Sequence, residues 1–131
     1  MKYLFDTNIC IYLLNKRDER LLRRVSGLPA RSAAVSTLSV AELAAGVALT
    51  SGMEQDMATL AEFLSSFEII SFELTDAQTY ATVYPVVGRT GKKAHAIDSL
   101  LAAQAIARNL SLVTNDLKFP RIPGMKILTW A

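Results

Sequence analysis

Four carboxylates stand at junctions between short apolar runs and helix-like segments of this 131-residue chain. Asp6 follows the apolar run Tyr3-Leu4-Phe5, and Asp116 follows another such run near the end of the chain. Glu42 lies in the first or second turn of one predicted helix, and Asp98 lies in the first turn of another. In open α/β sheets these junctions meet at one edge, where ligands bind. The sequence therefore predicts that the four side chains gather at one edge of a sheet.

Each of these acids also has an ordinary local explanation. Asp6 could cap the helix that follows it, and the pair Asn115-Asp116 could form a turn. Glu42 could close a capping box that begins at Ser39. Asp98 could complement the dipole of its helix. Taken singly, none of the four acids is evidence of a functional site.

The joint pattern favours a shared chemical role. The remaining acids, such as Asp76, fall where a solvated helix face or an ordinary first turn explains them. Carboxylates that share a partly buried crevice repel one another strongly, so a cluster of them needs a cation. Oxygen ligands without Cys or several His neighbours select Mg²⁺ or Mn²⁺ over zinc, and His95 is the only histidine. Such a site suits metal-assisted hydrolysis of a phosphodiester bond.

Apolar runs that alternate with helix-like segments predict an α/β fold for the whole chain. The predicted strands are 3–5, 33–36, 68–72, 110–114 and 126–130. The predicted helices are 9–14, 18–25, 37–49, 53–67, one that begins with a capping box from Thr75 to Gln78, and 96–109. A kink or an end is expected at Pro85, and a C-terminal stop at Asn109. We expect one domain, 1–131, with three α/β/α layers and a mostly parallel sheet of about five strands.

Composition excludes several classes of protein. Hydrophobic residues make up 51% of the chain and charged residues 20%, as in a globular domain rather than a disordered one. The formal net charge of +2 does not by itself indicate a nucleic-acid binder. Cys10 is the only cysteine, so no disulfide can form within the chain. No signal-peptide pattern and no long uncharged span occur, so a soluble cytoplasmic protein with no membrane association is expected.

Four motifs follow one another in a specific order along the chain: Leu4–Asn8, Ser39–Leu43 with Gly46 after it, Ile97–Ala103, and Val113–Asp116. The ending from Ile122 to Trp130 extends the match over nearly the whole chain. In this order the motifs resemble those of the PIN-domain ribonucleases. The resemblance is to the VapC-like toxins of bacterial toxin-antitoxin pairs, and among them to the FitB-like members.

The resemblance implies an endoribonuclease that uses Mg²⁺ or Mn²⁺ and is inhibited by a cognate antitoxin. The metal-binding and catalytic acids would be Asp6, Glu42, Asp98 and Asp116. Thr114 and Asn8 would support these acids by hydrogen bonding. The family usually forms homodimers, or higher assemblies with the antitoxin. One departure is that Lys93–Ile97 stands where many members have small residues before the third acid.

Two groups of basic residues could hold the RNA backbone beside this acidic site. Arg89, Lys92 and Lys93 form the group that we predict to bind substrate. Arg17, Arg20 and Arg24 form a second group that could contribute. For either group, a solvated surface is the simpler explanation.

Two other functions would also be consistent with these residues. A non-catalytic PIN-like module could bind RNA or protein, although a phosphate-binding surface gains nothing from four unneutralised carboxylates. A Mg²⁺-dependent phosphatase resembling the haloacid dehalogenases would need a second Asp two residues after Asp6. Asn8 occupies that position, which makes the phosphatase the weaker alternative.

Overall fold

The computed structural model describes residues 1–16, 18–89, 96–116, 119 and 121–130. Within these residues the strands are β1 (Tyr3–Phe5), β2 (Ala33–Ser36), β3 (Glu68–Ile70), β4 (Ser111–Val113) and β5 (Lys126–Leu128). The helices are α1 (Thr7–Asn15), α2 (Glu19–Ser26), α3 (Thr37–Ala48), α4 (Met53–Leu64), α5 (Leu74–Arg89) and α6 (Ala96–Ala107). As the sequence predicts, a pair of helices therefore follows each of β1, β2 and β3, and within the described residues β5 follows β4 without a helix between them.

The five strands form one parallel sheet in the order β3-β2-β1-β4-β5. Neighbouring residues of β1 point to opposite faces, because side chains alternate along a strand. Leu4 belongs to the core cluster that includes residues of α5 and α6, whereas Phe5 belongs to the cluster that includes residues of α1 and α4. Both faces of the sheet are thus covered by helices. The predicted three-layer α/β/α fold with a parallel five-stranded sheet is confirmed.

The strand order reverses at β1. The chain moves from β1 outward to β2 and β3, and then returns to place β4 on the other side of β1. Connections on the two sides of this point lie on opposite faces of the sheet, which leaves a crevice beyond the carboxyl ends of β1 and β4. The residues that follow Phe5 and Val113 line that crevice.

Several local predictions were wrong in detail. Ser36 is the N-cap of α3, and its hydroxyl accepts from the Leu38 N–H at 3.1 Å, so the capping box predicted from Ser39 to Glu42 does not exist. α5 begins before Thr75 and does not end at Pro85, which lies inside the helix. The buried Val83 anchors this helix in the core, which compensates for the hydrogen bond that proline removes.

Other local predictions are confirmed. Asn109 ends α6 in the left-handed conformation with φ of 54°, which an asparagine tolerates better than most residues. Cys10 is a buried core residue, and burial raises the pKa of its thiol. In the part of the chain that the structure describes, no helix has the length and apolarity needed to cross a membrane.

Asp76 was wrongly predicted to be an ordinary first-turn acid. Its side chain is fully buried, and Arg108 donates to both of its oxygens, from Nη2 at 2.9 Å and from Nε at 3.2 Å. The Glu73 N–H also donates to Asp76 Oδ2 at 2.7 Å, so the acid that reaches back at the start of α5 is Asp76 and not Gln78. Arg108 Nη2 further donates to the Ser71 carbonyl at 2.7 Å. This network fixes the end of α6 against the start of α5.

We expect Asp76→Asn to destabilise the protein, because it leaves the Arg108 guanidinium without its bidentate partner. The cost at about pH 7 should be about 3 kcal/mol, at the lower end for a broken buried ion pair, since a quarter of the Arg108 side chain is exposed. Burial raises the pKa of Asp76, but the hydrogen bonds from Arg108 and Glu73 hold it below its ordinary value of 3.8. The stability that ionised Asp76 contributes is therefore present above that value and lost as pH falls below it.

Urea unfolding followed by circular dichroism at a series of pH values measures this effect. Asp56→Asn, which changes a first-turn acid of α4, is the matched control. The parent and Asp76→Asn should converge in acid, whereas the control should stay close to the parent at neutral pH. A difference between Asp76→Asn and the parent that did not depend on pH would contradict an ionic role for Asp76.

Candidate active site

Asp6 lies at the carboxyl end of β1 and is 2% exposed. Its N–H donates to the Val113 carbonyl at 3.1 Å, which continues the pairing of β1 with β4 by one residue. Its side-chain Oδ1 accepts from the Ile9 N–H at 2.8 Å and so caps α1. The capping explanation for Asp6 is therefore correct. Capping uses one oxygen of the Asp6 carboxylate, and the same side chain also lines the crevice beyond β1 and β4.

Thr114 connects Asp6 to Asp116. The Thr114 side chain is fully buried, and its hydroxyl hydrogen-bonds to the Asp6 carboxylate. The same hydroxyl oxygen accepts from the Asp116 N–H at 3.0 Å. Because an ionised carboxylate can only accept, Thr114 must be the donor to Asp6. One hydroxyl thus fixes the Asp6 side chain and the backbone at Asp116.

Glu42 is held by Thr7, which in turn contacts Ser39. The Thr7 hydroxyl hydrogen-bonds to Glu42 Oε1, and it also lies 3.0 Å from the Ser39 hydroxyl. Since Thr7 has one hydroxyl proton and the carboxylate only accepts, Thr7 donates to Glu42 and accepts from Ser39. Both hydroxyl residues are buried. Thr7 was visible in the sequence beside Asp6, but no local signal pairs it with a residue of α3.

The negative charges of Glu42 and Asp116 affect the pKa of Asp6. Burial raises the pKa of Asp6 above its ordinary value, and the hydrogen bonds from Thr114 and from the Ile9 N–H lower it in part. The negative charges of Asp116 and Glu42 raise it again, so that the pKa remains elevated. The structure therefore brings three of the four predicted acids into one electrostatic group. That group stabilises a proton or a cation beside Asp6.

Asp98 lies in the first turn of α6 and is half buried. α6 packs against both β4 and α3, and it returns the chain to the amino end of β4. The start of α6 therefore lies toward the edge of the sheet that carries Asp6. This placement rests on the topology of the helix and not on a contact between Asp98 and the other acids.

The remaining predicted residues are placed as follows. Asn8 is exposed and lines a pocket that also includes Asp116. Arg20 is exposed on α2, and the Arg24 guanidinium lies 4.9 Å from the centre of the Trp130 ring. Arg89 is the last residue of α5. The other residues lie outside those that the structure describes: Arg17, Lys92, Lys93 and His95.

The ligand types at this edge fit a hard divalent cation. Asp6, Glu42 and Asp116 offer only oxygen, as Mg²⁺ and Mn²⁺ prefer. Among the described residues, no three His, Cys, Asp or Glu side chains are placed so that together they could hold a metal ion. Three protein ligands are not required for Mg²⁺, which keeps several waters and is often held by one or two carboxylates plus substrate phosphate. The elevated pKa of Asp6 is the observation that favours a cation here.

Sequence comparison identifies the family. The model of the family described as PIN domain matches residues 3–125. The chain belongs to the PIN-domain family. The predicted relationship to PIN domains is therefore confirmed, and the match covers the elements that carry Asp6, Glu42, Asp98 and Asp116.

Relatives of this PIN domain are similar over almost their full length. Ribonuclease VapC2 of Rickettsia felis is 36% identical over 132 residues, which cover 99% of this chain and 98% of that protein. The tRNA(fMet)-specific endonuclease VapC of Salmonella typhimurium is 28% identical, with 99% and 98% of the two chains covered. The recognised resemblance to VapC proteins is confirmed by these relatives.

Several solved structures have a fold similar to that of this PIN domain. A chain in the crystal structure of VapBC2 from Rickettsia felis bound to a promoter DNA fragment has a TM-score of 0.90 and 35% identity, with both chains fully covered. A chain of DNA-bound VapBC from Salmonella typhimurium has a TM-score of 0.91 and 28% identity over 100% of this chain and 99% of that one. FitAcB from Neisseria gonorrhoeae gives a TM-score of 0.79 at 27% identity, with 96% of each chain covered.

We expect Asp6→Asn to stabilise the metal-free PIN domain. Because the folded pKa of Asp6 is raised above 3.8, the folded state loses stability as pH rises from 3.8 to the folded pKa, and the ionised carboxylate carries that penalty at higher pH. Asn removes the charge and remains a good N-cap. The free energy of unfolding at about pH 7 should rise by about 1 kcal/mol, as for other substitutions that relieve a strained functional site.

Chemical denaturation in the presence of a chelator measures this gain. Asp18→Asn is the matched control, because Asp18 Oδ1 likewise caps a helix and accepts from the Leu21 N–H at 3.0 Å. The control should show no gain. If Asp6→Asn were less stable than the parent at neutral pH, the repulsion inferred at the carboxyl ends of β1 and β4 would be wrong.

Proposed function

We propose that this PIN domain is a metal-dependent endoribonuclease that acts as the toxin of a toxin-antitoxin pair. The proposal rests on the buried Asp6 carboxylate, which lies close enough to Glu42 and Asp116 for their negative charges to raise its pKa. Asp6 follows β1, the strand at which the strand order of the sheet reverses. A group that stabilises a cation in a ligand-binding crevice suits phosphodiester hydrolysis. The 36% identity to a protein named Ribonuclease VapC2 supports RNA as the substrate.

The proposed metal ligands and catalytic residues are Asp6, Glu42, Asp98 and Asp116, with Mg²⁺ or Mn²⁺ as the cofactor. When bound, the cation would activate water and offset the charge that develops on the phosphate. The chain's own contribution is to hold the acids in place. Thr114 fixes Asp6, and Thr7 fixes one oxygen of Glu42, so the other oxygen of Glu42 is the one left for a cation or a bound water. Asn8, whose side chain is exposed, is proposed to support the acids by hydrogen bonding.

Cleavage of RNA in the presence of divalent cations tests this function. The purified PIN domain should cleave mixed RNA with Mg²⁺ or Mn²⁺ and stop when a chelator is added. Asp6→Asn should lower the rate by about a hundredfold or more, a loss typical of removing one electrostatic group from an active site. Asp18→Asn, the same substitution at a cap of α2, should cleave at the rate of the parent.

The outcomes separate the proposed functions. Equal rates for Asp6→Asn and the parent would show that the acids do not carry the chemistry. Binding of RNA without cleavage by the parent would instead identify a non-catalytic PIN-like module. Hydrolysis of a phosphate monoester without cleavage of RNA would identify a phosphatase.

The proposed substrate-binding residues are Arg89, Lys92 and Lys93. Their charges would hold the RNA backbone beside the acids and offset the repulsion between carboxylates and phosphates. The double substitution of Lys92 and Lys93 by Ala should weaken RNA binding and reduce the slope of log affinity against log salt by about 1.4, or about 0.7 for each lost contact with a single strand. Anisotropy of labelled RNA over a salt series measures that slope. An unchanged slope would exclude both lysines from the RNA contact.

The proposed regulatory partner is a cognate antitoxin protein. Support comes from the solved relatives, which are described as VapBC and FitAcB structures and as a toxin-antitoxin complex from Klebsiella pneumoniae. A homodimer, or a higher assembly with the antitoxin, is proposed for the same reason. A bacterial toxin of this kind would act in the cytoplasm.

A further inference from the structure

A polar pocket adjoins the acidic group on its exposed side. It has a volume of 470 Å³ and is lined by Asn8, Ile11, Tyr12, Asn15, Asn115 and Asp116. Pockets that hold small ligands have volumes of roughly 300–1,000 Å³. Asp116 belongs both to this pocket and to the charges that act on Asp6, so a ligand in the pocket would lie beside the candidate active site.

One face of α1 forms a wall of this pocket. Asn8, Ile11, Tyr12 and Asn15 recur at the spacing of one helical face. The opposite face is buried in the core, whereas these four residues are exposed, with Ile11 40% and Tyr12 42% accessible. The first helix thus presents two amides and an aromatic ring next to the crevice.

The chemistry of the pocket favours a neutral planar ligand. Among the residues that the structure describes, its lining holds no lysine, arginine or histidine, and the Asp116 carboxylate would repel a phosphate group. Tyr12 offers a ring face for stacking. Each asparagine amide offers a donor and an acceptor side by side, as one edge of a nucleobase does. Unpaired bases of RNA are bound in this way, by stacking on aromatic side chains and by hydrogen bonds to their edges.

Asn115 provides a second indication. Its Oδ1 atom is buried and has no hydrogen-bond partner among the described residues. A buried acceptor without a partner costs free energy, which a ligand or water in the pocket could recover.

We propose that this pocket binds an unpaired nucleobase of the RNA, stacked on Tyr12 and hydrogen-bonded by Asn15 and Asn115, in the nucleotide next to the cleaved phosphate. The proposal deepens the proposed ribonuclease function and rests on it for the nature of the ligand. It assigns base selection to α1 and to the residues after β4. The backbone phosphates would be left to the basic residues.

Binding of short labelled oligoribonucleotides, with and without bases, tests the proposal. Fluorescence anisotropy is measured with a chelator present, so that no cleavage occurs. The probes are oligomers of each single base and an abasic oligomer with the same number of phosphates. The parent should bind at least one base-containing oligomer about tenfold more tightly than the abasic one, in line with the contribution of one stacked base.

Substitutions locate the base contact. Tyr12→Ala should remove most of the difference between base-containing and abasic oligomers, whereas Tyr12→Phe should keep it because the ring remains. Asn15→Ala should reduce the preference among bases more than the total affinity. Tyr84→Ala, which removes a 62% exposed ring from α5, is the matched control and should behave like the parent.

The outcomes also separate this proposal from the ribonuclease function. Equal binding of base-containing and abasic oligomers by the parent would overturn the base pocket even if RNA is cleaved. Loss of antitoxin binding by Tyr12→Ala with unchanged base preference would show a protein contact instead and would also overturn it. Base-dependent binding through Tyr12 without any cleavage would support the pocket while the ribonuclease proposal failed.

Discussion

The pairing of β1 with β4 is the constraint on which the site depends. Phe5 stands opposite Val113 in the parallel ladder, and the Asp6 N–H continues the pairing to the Val113 carbonyl. This register places Asp6 next to Thr114, although the two residues are far apart in sequence. A slip of one residue would turn the side chains of one strand to the opposite face, which would separate the carboxylate from its hydroxyl partner. The apolar alternation of Leu4 and Phe5 between the two cores therefore fixes the geometry of the polar site as well.

The same pairing creates an electrostatic cost that the rest of the fold must offset. Asp6 is held in place by the Ile9 N–H and the Thr114 hydroxyl, yet burial and the charges of Glu42 and Asp116 still raise its pKa. Anything that binds the folded state and relieves this repulsion stabilises the protein by mass action. Cation binding and folding stability are therefore linked at this edge. Asp76 shows the opposite balance, because Arg108 lowers the pKa of an acid that is at least as buried. Asp76 and Asp6 are thus both buried carboxylates, but a guanidinium lowers the pKa of the first, whereas burial and neighbouring negative charges raise the pKa of the second.

The sequence predicted the elements better than it predicted their contacts. The run Tyr3–Phe5 and the junction at Asp6 were recognised because apolar runs and turn residues are local signals, and the parallel sheet followed from their alternation. Asp76 looked like a first-turn acid because its partner Arg108 lies 32 residues away. The contact of Thr7 with Glu42 was missed for the same reason, since it joins residues 35 positions apart. Local patterns also misplaced caps by a few residues, because several Ser and Thr residues near a helix start can serve as the cap. The grouping of the acids was predicted from their positions at strand-to-helix junctions, and the resemblance to PIN domains implied their individual roles as metal ligands.

Helix α1 contributes to the site through both of its faces. Its buried face anchors the sheet edge through Ile9 and places the Thr7 hydroxyl on Glu42, while its N-terminus takes its cap from Asp6. Its exposed face carries Tyr12 and the asparagines of the pocket beside Asp116. Because successive helical positions point in different directions, the two sets of residues lie on different sides of α1. Changes on the buried face should alter folding and the placement of the acids together. Under the proposed base pocket, changes at Tyr12 on the exposed face should alter ligand preference while the acids keep their positions.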